Sequence, residues 1–340
     1  MNSRFRVGIV GSGAVARVCH VPAVLASPLA TLTALVDPVA ERGRSIARDY
    51  GIAPLIASSL EEVLDKVDGI VIATPNNTHA PLAQQAIRAG IPCLIEKPLC
   101  ITEDEGREIC EAARARGVVV AVGYCQRFDD GVVLVKELLD EGSLGSVRQF
   151  HCQSGSIGGW SPESGYILDR KSAGGGVLTV NGSHYIDRLL YWFGYPDDVF
   201  LRHDGVAGPE AHCFAKLHYN SRGLRIDGSM LFSKLVRLDS GVALRTERGV
   251  LATGGNGSPV LWRSGDSSIV TAELRPSAPP SWRPEASLFQ RQLDDFIQAC
   301  RGEHPPAVPA EVGVQSVRLL QELYRSQNVA SAASVAEELA

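Results

Sequence analysis

The sequence predicts an α/β chain: a parallel sheet covered by helices on both faces, followed by an α+β region with an open mixed or antiparallel sheet. Two observations support this prediction. Over the first third of the chain, short and nearly continuous apolar segments alternate with helix-like segments. Beyond it, short segments are separated by turns rich in Gly, Asn, Ser and Asp, which is typical of antiparallel strands.

A glycine-rich turn directly follows the first apolar segment. It reads Gly11-Ser12-Gly13-Ala14-Val15-Ala16. Gly11 permits the tight turn, Gly13 lets the backbone approach a pyrophosphate, and Ala16 keeps the next helix close to the sheet. The amides that open this helix, at Ala14 and Val15, attract anions. The motif alone also fits an ordinary turn, but its position after a strand favours a dinucleotide site.

The second predicted strand, residues 31–36, ends in Asp37. A carboxylate at this point can accept hydrogen bonds from ribose hydroxyls and would repel a 2′-phosphate, which favours NAD over NADP. The alternative is that Asp37 simply caps the helix predicted over residues 39–50, with Pro38 at its entry.

The remaining elements of this first, Rossmann-type domain follow the same alternation. We predict strands at 5–10, 54–57, 69–73, 91–95 and 118–122, and helices opening at 58–59 and spanning 80–89 and 103–116. In parallel sheets, ligands bind beyond the carboxyl ends of the strands. The residues expected at that edge are Gly11, Asp37, Thr74, Glu96, Lys97, Gly123 and Tyr124.

The pattern changes near residues 124–127, so we predict a dinucleotide-binding domain over 1–124 and a second domain over 125–340. In the second domain we predict helices at 130–140 and 180–193, and two closing helices at 288–300 and 312–326. The strand candidates are 147–154, 211–219, 225–232, 235–238, 242–247 and 250–252.

Composition excludes several classes of protein. The formal charge of −5 and the pI near 5.9 give no sign of a nucleic-acid or anionic-membrane partner. The first strand begins too early to leave room for a signal peptide, and no apolar stretch is long enough to cross a bilayer. The eight cysteines lack Cys-x-x-Cys spacing, so we expect reduced thiols, a cytoplasmic protein and no metal site.

Further motifs follow the glycine turn in a fixed order. They are Ala73-Thr74-Pro75-Asn76-Asn77-Thr78-His79, Glu96-Lys97-Pro98, Gly123-Tyr124 with Arg127-Phe128, Gly174-Gly175-Gly176-Val177-Leu178, and Gly182-Ser183-His184 with Asp187. With them, nearly the whole chain resembles the Gfo/Idh/MocA family of nicotinamide-dependent oxidoreductases. The motifs are specific for the family but say little about the substrate.

The resemblance implies a dinucleotide domain, an open-sheet domain and a substrate held between them. It implies that Thr74, Pro75, Asn77 and His79 line the cofactor and that Glu96 and Lys97 lie beside the nicotinamide. The Lys97–Pro98 bond is often cis in relatives. By analogy with the family we expect a homodimer or homotetramer that uses the second sheet.

Alcohol oxidation needs a base for the hydroxyl proton as well as a hydride acceptor. His184 suits the base, because an imidazole titrates near pH ~6.5, and Lys97 can stabilise an alkoxide. The alternative for His184 is a hydrogen-bonded residue in the domain interface. Many relatives carry Asp four residues before this His, where this chain has Val180. Asn181, at i, i+3 spacing from His184, is the neighbouring polar group that can substitute.

Two further residues, Tyr124 and Arg127, lie at the predicted domain junction. They either contact substrate hydroxyls or the nicotinamide, or pack as a hinge. Tyr166, Asp169, Arg170 and Lys171 either line a sugar site or form a solvated loop, and Trp160 either covers a ligand or belongs to the core.

The expected function is NAD-dependent hydride transfer at a secondary alcohol or ketone of a sugar, nucleotide sugar, amino-sugar precursor or cyclitol. The first alternative is a hydrolase or lyase that oxidises its substrate transiently. The second is a non-catalytic NAD-binding regulator.

Overall fold

The computed structural model describes residues 3–158, 165–205, 208–221, 223–265, 271–274 and 287–329. The contacts between its Cα atoms divide the chain into two compact units. Of the described residues, 3–125, 165–166 and 287–317 belong to the first unit, and the remainder belong to the second. Trp160 and a loop that the sequence also predicts over residues 278–284 lie outside the described residues.

The first unit contains a six-stranded parallel sheet. Its strands are β1 (Phe5–Val10), β2 (Ala30–Val36), β3 (Leu55–Ala57), β4 (Gly69–Ile72), β5 (Cys93–Ile95) and β6 (Val120–Val122). They lie in the order β3-β2-β1-β4-β5-β6, and every pair is parallel. This confirms the predicted Rossmann sheet. Buried apolar residues along β1, β4 and β5 explain why the central strands read as continuous apolar runs.

Helices connect these strands. They are α1 (Val21–Ala26), α2 (Ala40–Tyr50), α3 (His79–Arg88) and α4 (Glu103–Arg116). A short π-helical turn, Ala16–His20, which we call a π-turn, leads from the glycine turn into α1. Helix α4 begins with a capping box made by Thr102 and Glu105, in which each side chain satisfies a free amide. Both α2 and α4 end at a left-handed glycine, Gly51 and Gly117.

The second unit contains a mixed sheet, as predicted. The sheet has nine strands among the described residues. Its strands are β7 (Val147–Gly155), β8 (Asp198–His203), β9 (His212–Tyr219), β10 (Ile226–Ser233), β11 (Leu238–Thr246), β12 (Gly249–Gly254), β13 (Val260–Ser264), β14 (Thr271–Leu274) and β15 (Asn328–Val329). The order is β14-β13-β12-β11-β7-β10-β9-β8-β15. The pairs β7–β10 and β8–β15 are parallel, and the others are antiparallel.

Among the described residues, three helices lie wholly within this unit: α5 (Asp130–Asp140), α6 (Arg170–Ala173) and α7 (Ser183–Phe193). A second π-turn, Leu178–Gly182, leads into α7. The core contains Phe150, Met230 and Phe232 of the sheet and Ile186 and Leu189 of α7. One face of the sheet is therefore covered by helices.

The prediction of a strand over residues 235–238 is wrong. The Ser233 hydroxyl accepts hydrogen bonds from the amides of Leu235 (3.0 Å) and Val236 (3.3 Å). These local bonds form a turn in place of a ladder, and β11 begins only at Leu238.

Two helices close the described chain: α8 (Leu288–Cys300) and α9 (Ala310–Arg325). The sequence division places both in the second domain, yet α8 and the first part of α9 belong to the compact first unit. The reason is apolar burial. Phe296 of α8 is fully buried and lies edge-on to Phe5 at 6.3 Å, and the Gln292 amide donates to the Val122 carbonyl (3.1 Å).

All eight cysteines are free; six are buried, and Cys19 and Cys300 are partly exposed. Among the described helices, none has both the length and the apolar character needed to cross a membrane. The described residues also contain no cluster of His, Cys, Asp or Glu that could hold a metal ion.

Candidate functional site

The glycine turn follows β1 at the carboxyl edge of the parallel sheet. Gly11 has a φ of +95°, and a Cβ there would overlap the Ala73 carbonyl, so the fold itself requires glycine. At Gly13, in contrast, an added Cβ would meet nothing within 4 Å. Ala14 is exposed and Val15 half-buried at the start of the helix. The open side of Gly13 is the cradle that a pyrophosphate needs.

Asp37 connects this turn to the end of β2. Its Oδ2 accepts a hydrogen bond from the amide of Ser12 (2.9 Å), and its Oδ1 accepts one from the amide of Val39 (2.8 Å). The second bond closes a local turn just before α2, whose N-cap, Val39, has no side-chain cap bond, while the first fixes the shape of the glycine turn. The Oγ of Ser12 is buried and has no hydrogen-bond partner among the described residues. Arg42 lies 3.5 Å from Asp37 Oδ1.

The segment after β4 forms a tight turn at the same edge. The Thr78 hydroxyl donates to the Pro75 carbonyl and lies 2.7 Å from the Thr74 hydroxyl. Thr74 and Pro75 are half-buried and Asn77 is exposed, so these side chains are accessible.

His79 does not share this accessibility, which argues against the predicted cofactor contact. It is fully buried, with Nδ1 2.8 Å from the Pro98 carbonyl and Nε2 2.9 Å from the Thr74 carbonyl. Burial lowers its pKa, although both carbonyls favour the charged form. The geometry gives His79 a bracing role between the two turns.

Glu96 follows β5 and is held by two partners. Its Oε1 lies 2.8 Å from His20 Nε2, and its Oε2 accepts a hydrogen bond from the amide of Lys97 (3.1 Å). Burial acts to raise the pKa of Glu96, but the hydrogen bond and charge of His20, together with Lys97, hold that pKa below its ordinary value. Lys97 is half-buried, and the Lys97–Pro98 bond is cis, as the resemblance suggested.

Three residues around Glu96 complete the local arrangement. Phe289 lies edge-on to His20 at 5.1 Å. A Cβ on Gly123 would meet the Glu96 Cα at 2.9 Å, which explains the glycine at the end of β6. Burial, with the nearby Glu96 carboxylate, raises the pKa of Tyr166. Tyr166, for which the sequence left a sugar site or a solvated loop open, therefore lies near Glu96. The sequence did not predict the position of His20, whose only signal is a histidine on the buried side of the helix after the glycine turn.

In the second unit, His184 lies in the first turn of α7, just after the π-turn. Between Val177 and Leu190, the partly exposed residues are Val180, Asn181 and His184, while the others are buried. These three therefore share the accessible side of the helix. The Oδ1 of Asn181 is buried and has no hydrogen-bond partner within the described chain.

The two residues at the predicted domain junction have packing contacts instead of accessible positions. Tyr124 is fully buried. Arg127 donates from Nε to Asp187 Oδ2 (2.6 Å) and from Nη2 to Oδ1 (2.8 Å), and its guanidinium lies 4.2 Å from the Tyr191 ring centroid. Burial raises the pKa of Asp187, and Arg127 opposes that rise. The burial of Tyr124 and the ion pair of Arg127 fit the packing alternative, and the substrate contact of both residues stays a prediction.

Replacement of Arg127 by Met is expected to lower the free energy of unfolding by about 3–5 kcal/mol, because a buried carboxylate loses its partner. The exposed fractions of the Arg127 and Asp187 side chains are 9% and 1%. Urea unfolding measures the effect. The control is Arg148→Met, which removes an exposed ion pair with Glu247 and should cost less than about 1 kcal/mol. Equal losses in the two variants would contradict the packing role.

Two family models match the chain. Residues 5–124 match the model of an oxidoreductase family with an NAD-binding Rossmann fold, and residues 132–259 match the GFO/IDH/MocA C-terminal domain. Together the matches cover well over half of the chain. The chain belongs to the Gfo/Idh/MocA family of oxidoreductases.

Relatives in this family extend over most of the chain. The rhizopine catabolism protein MocA of Rhizobium meliloti is 26% identical over 322 residues, covering 94% of each chain. The 1,5-anhydro-D-fructose reductase of Ensifer adhaerens is 29% identical, covering 92% of this chain and 93% of the relative. The structure of aldose-aldose oxidoreductase from Caulobacter crescentus, complexed with glycerol, shares the fold with a TM-score of 0.82 at 23% identity, covering 95% and 97%.

Membership in the Gfo/Idh/MocA family makes this protein an oxidoreductase that uses a nicotinamide cofactor. The residues at the carboxyl edge of the first sheet fit such a group, since Gly13 leaves open space beside the first helical amides.

Proposed function

We propose that this protein is an NAD-dependent dehydrogenase or reductase that transfers a hydride between the nicotinamide and a secondary alcohol or ketone of a carbohydrate-like ring. It acts on a CH–OH group, as the names of its relatives indicate. The substrate classes that we propose are sugars, nucleotide sugars, amino-sugar precursors and cyclitols.

The observation that carries this proposal is the shared edge of the parallel sheet. Strands β1, β4 and β5 are neighbours, and each ends in a turn that holds polar groups. The glycine turn follows β1, the Thr74 turn follows β4, and Glu96 with Lys97 follows β5. Because the strands are parallel, an elongated dinucleotide can extend along this edge from the glycine turn toward Lys97.

We assign cofactor binding to the residues along that edge that are accessible or that shape the turn. They are Gly11, Ser12, Gly13, Ala14, Val15, Asp37, Thr74, Pro75, Asn77, Glu96 and Lys97. When bound, the nicotinamide supplies a hydride acceptor or donor.

Three side chains of the protein would handle the substrate and its proton. Lys97, whose amide is fixed by Glu96, stabilises negative charge on the substrate oxygen. His184 takes the hydroxyl proton during oxidation and returns it during reduction. Asn181 accepts a hydrogen bond from a substrate hydroxyl through its unpaired Oδ1, in place of the Asp that many relatives carry at the position of Val180.

Asp37 is proposed to select NAD over NADP. In Asp37→Ser, the ratio of NAD affinity to NADP affinity should fall by about 10- to 100-fold, because the repulsion of a 2′-phosphate is removed while Arg42 remains. Titration of each cofactor, followed by intrinsic tryptophan fluorescence, measures the ratio. Asp65→Ser is the matched control, since Asp65 is exposed and pairs with Lys66. An unchanged ratio in Asp37→Ser would refute this selectivity.

We also propose a homodimer or homotetramer that uses the face of the second sheet opposite its helices. This face carries polar pairs, His151 with Ser229 (2.9 Å) and His218 with Asp227 (2.7 Å), and the exposed apolar side chains of Val250 and Leu261. Light scattering at micromolar concentration should give a multiple of the 36.3 kDa chain mass. A monomer would contradict the proposal.

The test of the function is an absorbance assay for NADH formation with D-glucose, UDP-N-acetylglucosamine and myo-inositol, one for each main substrate class, and for NADH loss with the corresponding ketones. Turnover with at least one class is expected. A protein that binds NAD but turns over none of these compounds would favour the regulatory alternative.

A further inference from the structure

The glycine run at 174–176 leads into the helix that carries His184, and one residue satisfies its amides. Glu210 is fully buried. Its Oε2 accepts from the amide of Gly176 (2.9 Å), its backbone carbonyl from Val177 (2.8 Å), and its Oε1 from Leu178 (3.0 Å). Three successive amides at the start of the helix therefore bond to Glu210, and its carboxylate is well placed against the helix dipole.

Tyr324, from the last part of α9, holds this carboxylate from the other side. Its hydroxyl donates to Glu210 Oε1 (2.7 Å), accepts from the amide of Gly176 (3.3 Å) and lies 3.1 Å from the Thr179 hydroxyl. Burial, with the neighbouring Glu210 carboxylate, raises the pKa of Tyr324 well above its ordinary value. The hydroxyl therefore keeps its proton and remains a donor.

The same contacts explain the glycines. A Cβ on Gly176 would overlap the backbone of Glu210, and a Cβ on Gly175 would overlap the hydroxyls of Thr179 and Tyr324. The glycine motif is thus the surface against which Glu210 and Tyr324 pack. We define these two residues as the Glu210–Tyr324 clamp.

The clamp bonds to the start of the segment that carries two partly exposed polar side chains, Asn181 in the π-turn and His184 in α7. Thr179, bonded to Tyr324, lies inside the π-turn Leu178–Gly182, and Asn181 lies in the same turn. His184 follows immediately. A π-turn adds a residue to the turn and is frequent at functional sites. The amides that bond to Glu210, those of Gly176, Val177 and Leu178, run directly into this turn.

We propose that Glu210 and Tyr324 are positioning residues that set the orientation of Asn181 and His184. This inference rests on the proposed role of His184 in proton transfer. The clamp contributes through that orientation, and neither residue exchanges a proton with the substrate.

The test uses Glu210→Gln and Tyr324→Phe, which keep the side-chain size but remove one acceptor or the hydroxyl. Tyr219→Phe is the matched control, because the hydroxyl of Tyr219 is buried and has no hydrogen-bond partner among the described residues. The first readout is the NMR signal of the His184 ring in the free protein, assigned through its loss in His184→Gln. We expect this signal to shift in both clamp variants and to stay in place in the control.

The second readout is kinetics with NAD and whichever compound of the panel is turned over. Both clamp variants should lose about 10- to 100-fold in kcat, with the NAD affinity nearly unchanged, because the reacting geometry is disturbed and the binding surface is not. One limb of the pH–rate profile should disappear in His184→Ala. In the clamp variants the same limb should shift to a different pH. If Glu210→Gln fails to fold, Tyr324→Phe decides.

If the His184 signal does not shift in Tyr324→Phe, the proposed positioning role is refuted. A fall in kcat that equals the fall in the fraction of folded protein refutes it as well. Failure of the proposed function looks different: His184→Ala would keep wild-type turnover while the His184 signal still shifts in the clamp variants.

Discussion

Replacement of His184 by Ala is expected to lower kcat by about 10²- to 10⁴-fold, the usual contribution of a positioned acid–base group. His184 lies on the accessible side of its helix, three residues after Asn181. Its proposed role is proton transfer, so NAD affinity should be nearly unchanged. Steady-state kinetics and a cofactor titration measure the two quantities separately.

A matched histidine control is available in His304. Its side chain is partly exposed and contacts the neighbouring Pro305 carbonyl at 2.8 Å, so His304→Ala should keep wild-type turnover. Raising the pH should partly restore His184→Ala, because hydroxide then competes as a base for the alcohol proton. Full activity of His184→Ala at neutral pH would remove this residue from the reaction.

Lys97→Ala is the second substitution with a large expected effect, a loss of about 10²- to 10³-fold in kcat, as for removal of a donor that stabilises a developing oxyanion. The amide of Lys97 is fixed by Glu96, and Glu96 is in turn fixed by His20. The ammonium is a compact point charge, so Lys97→Arg should recover only part of the loss.

The control for Lys97→Ala is Lys66→Ala, which removes a more exposed lysine that pairs with Asp65. It should leave kcat and NAD affinity at wild-type values. If Lys97→Ala turned over as fast as the control, the ammonium would have no part in the chemistry.

The carboxyl edge of the first sheet could be predicted from sequence because each piece of evidence is local. Apolar strands fix the parallel sheet, and the strand ends fix where Gly11, Asp37 and Glu96 lie. The sequence did not predict the burial of His79, because that burial depends on carbonyls on both sides of it, at Thr74 and Pro98.

The positions that sequence missed depend on contacts between distant residues. His20 and Glu96 are 76 positions apart, and Glu210 and Tyr324 are 114 apart. Nothing in the local pattern predicts such pairs. The π-turn Leu178–Gly182 is similarly hidden, because its residues have the same apolar spacing as an ordinary helix.

The second sheet was predicted in type but not in extent. Strands β8, β13, β14 and β15 were not predicted, because their pairing is decided by neighbours across the sheet. The sequence could not choose between substrate contact and packing for Arg127, because the ion pair depends on Asp187 of α7.

The most direct test of net hydride transfer is mass spectrometry of the cofactor after turnover with a substrate that carries deuterium on its CH–OH carbons. Perdeuterated myo-inositol or D-glucose, incubated with the enzyme and NAD, should yield reduced cofactor that contains one deuterium, together with the ketone. Product formed while the cofactor is recovered oxidised and unlabelled would contradict the account and would favour transient oxidation.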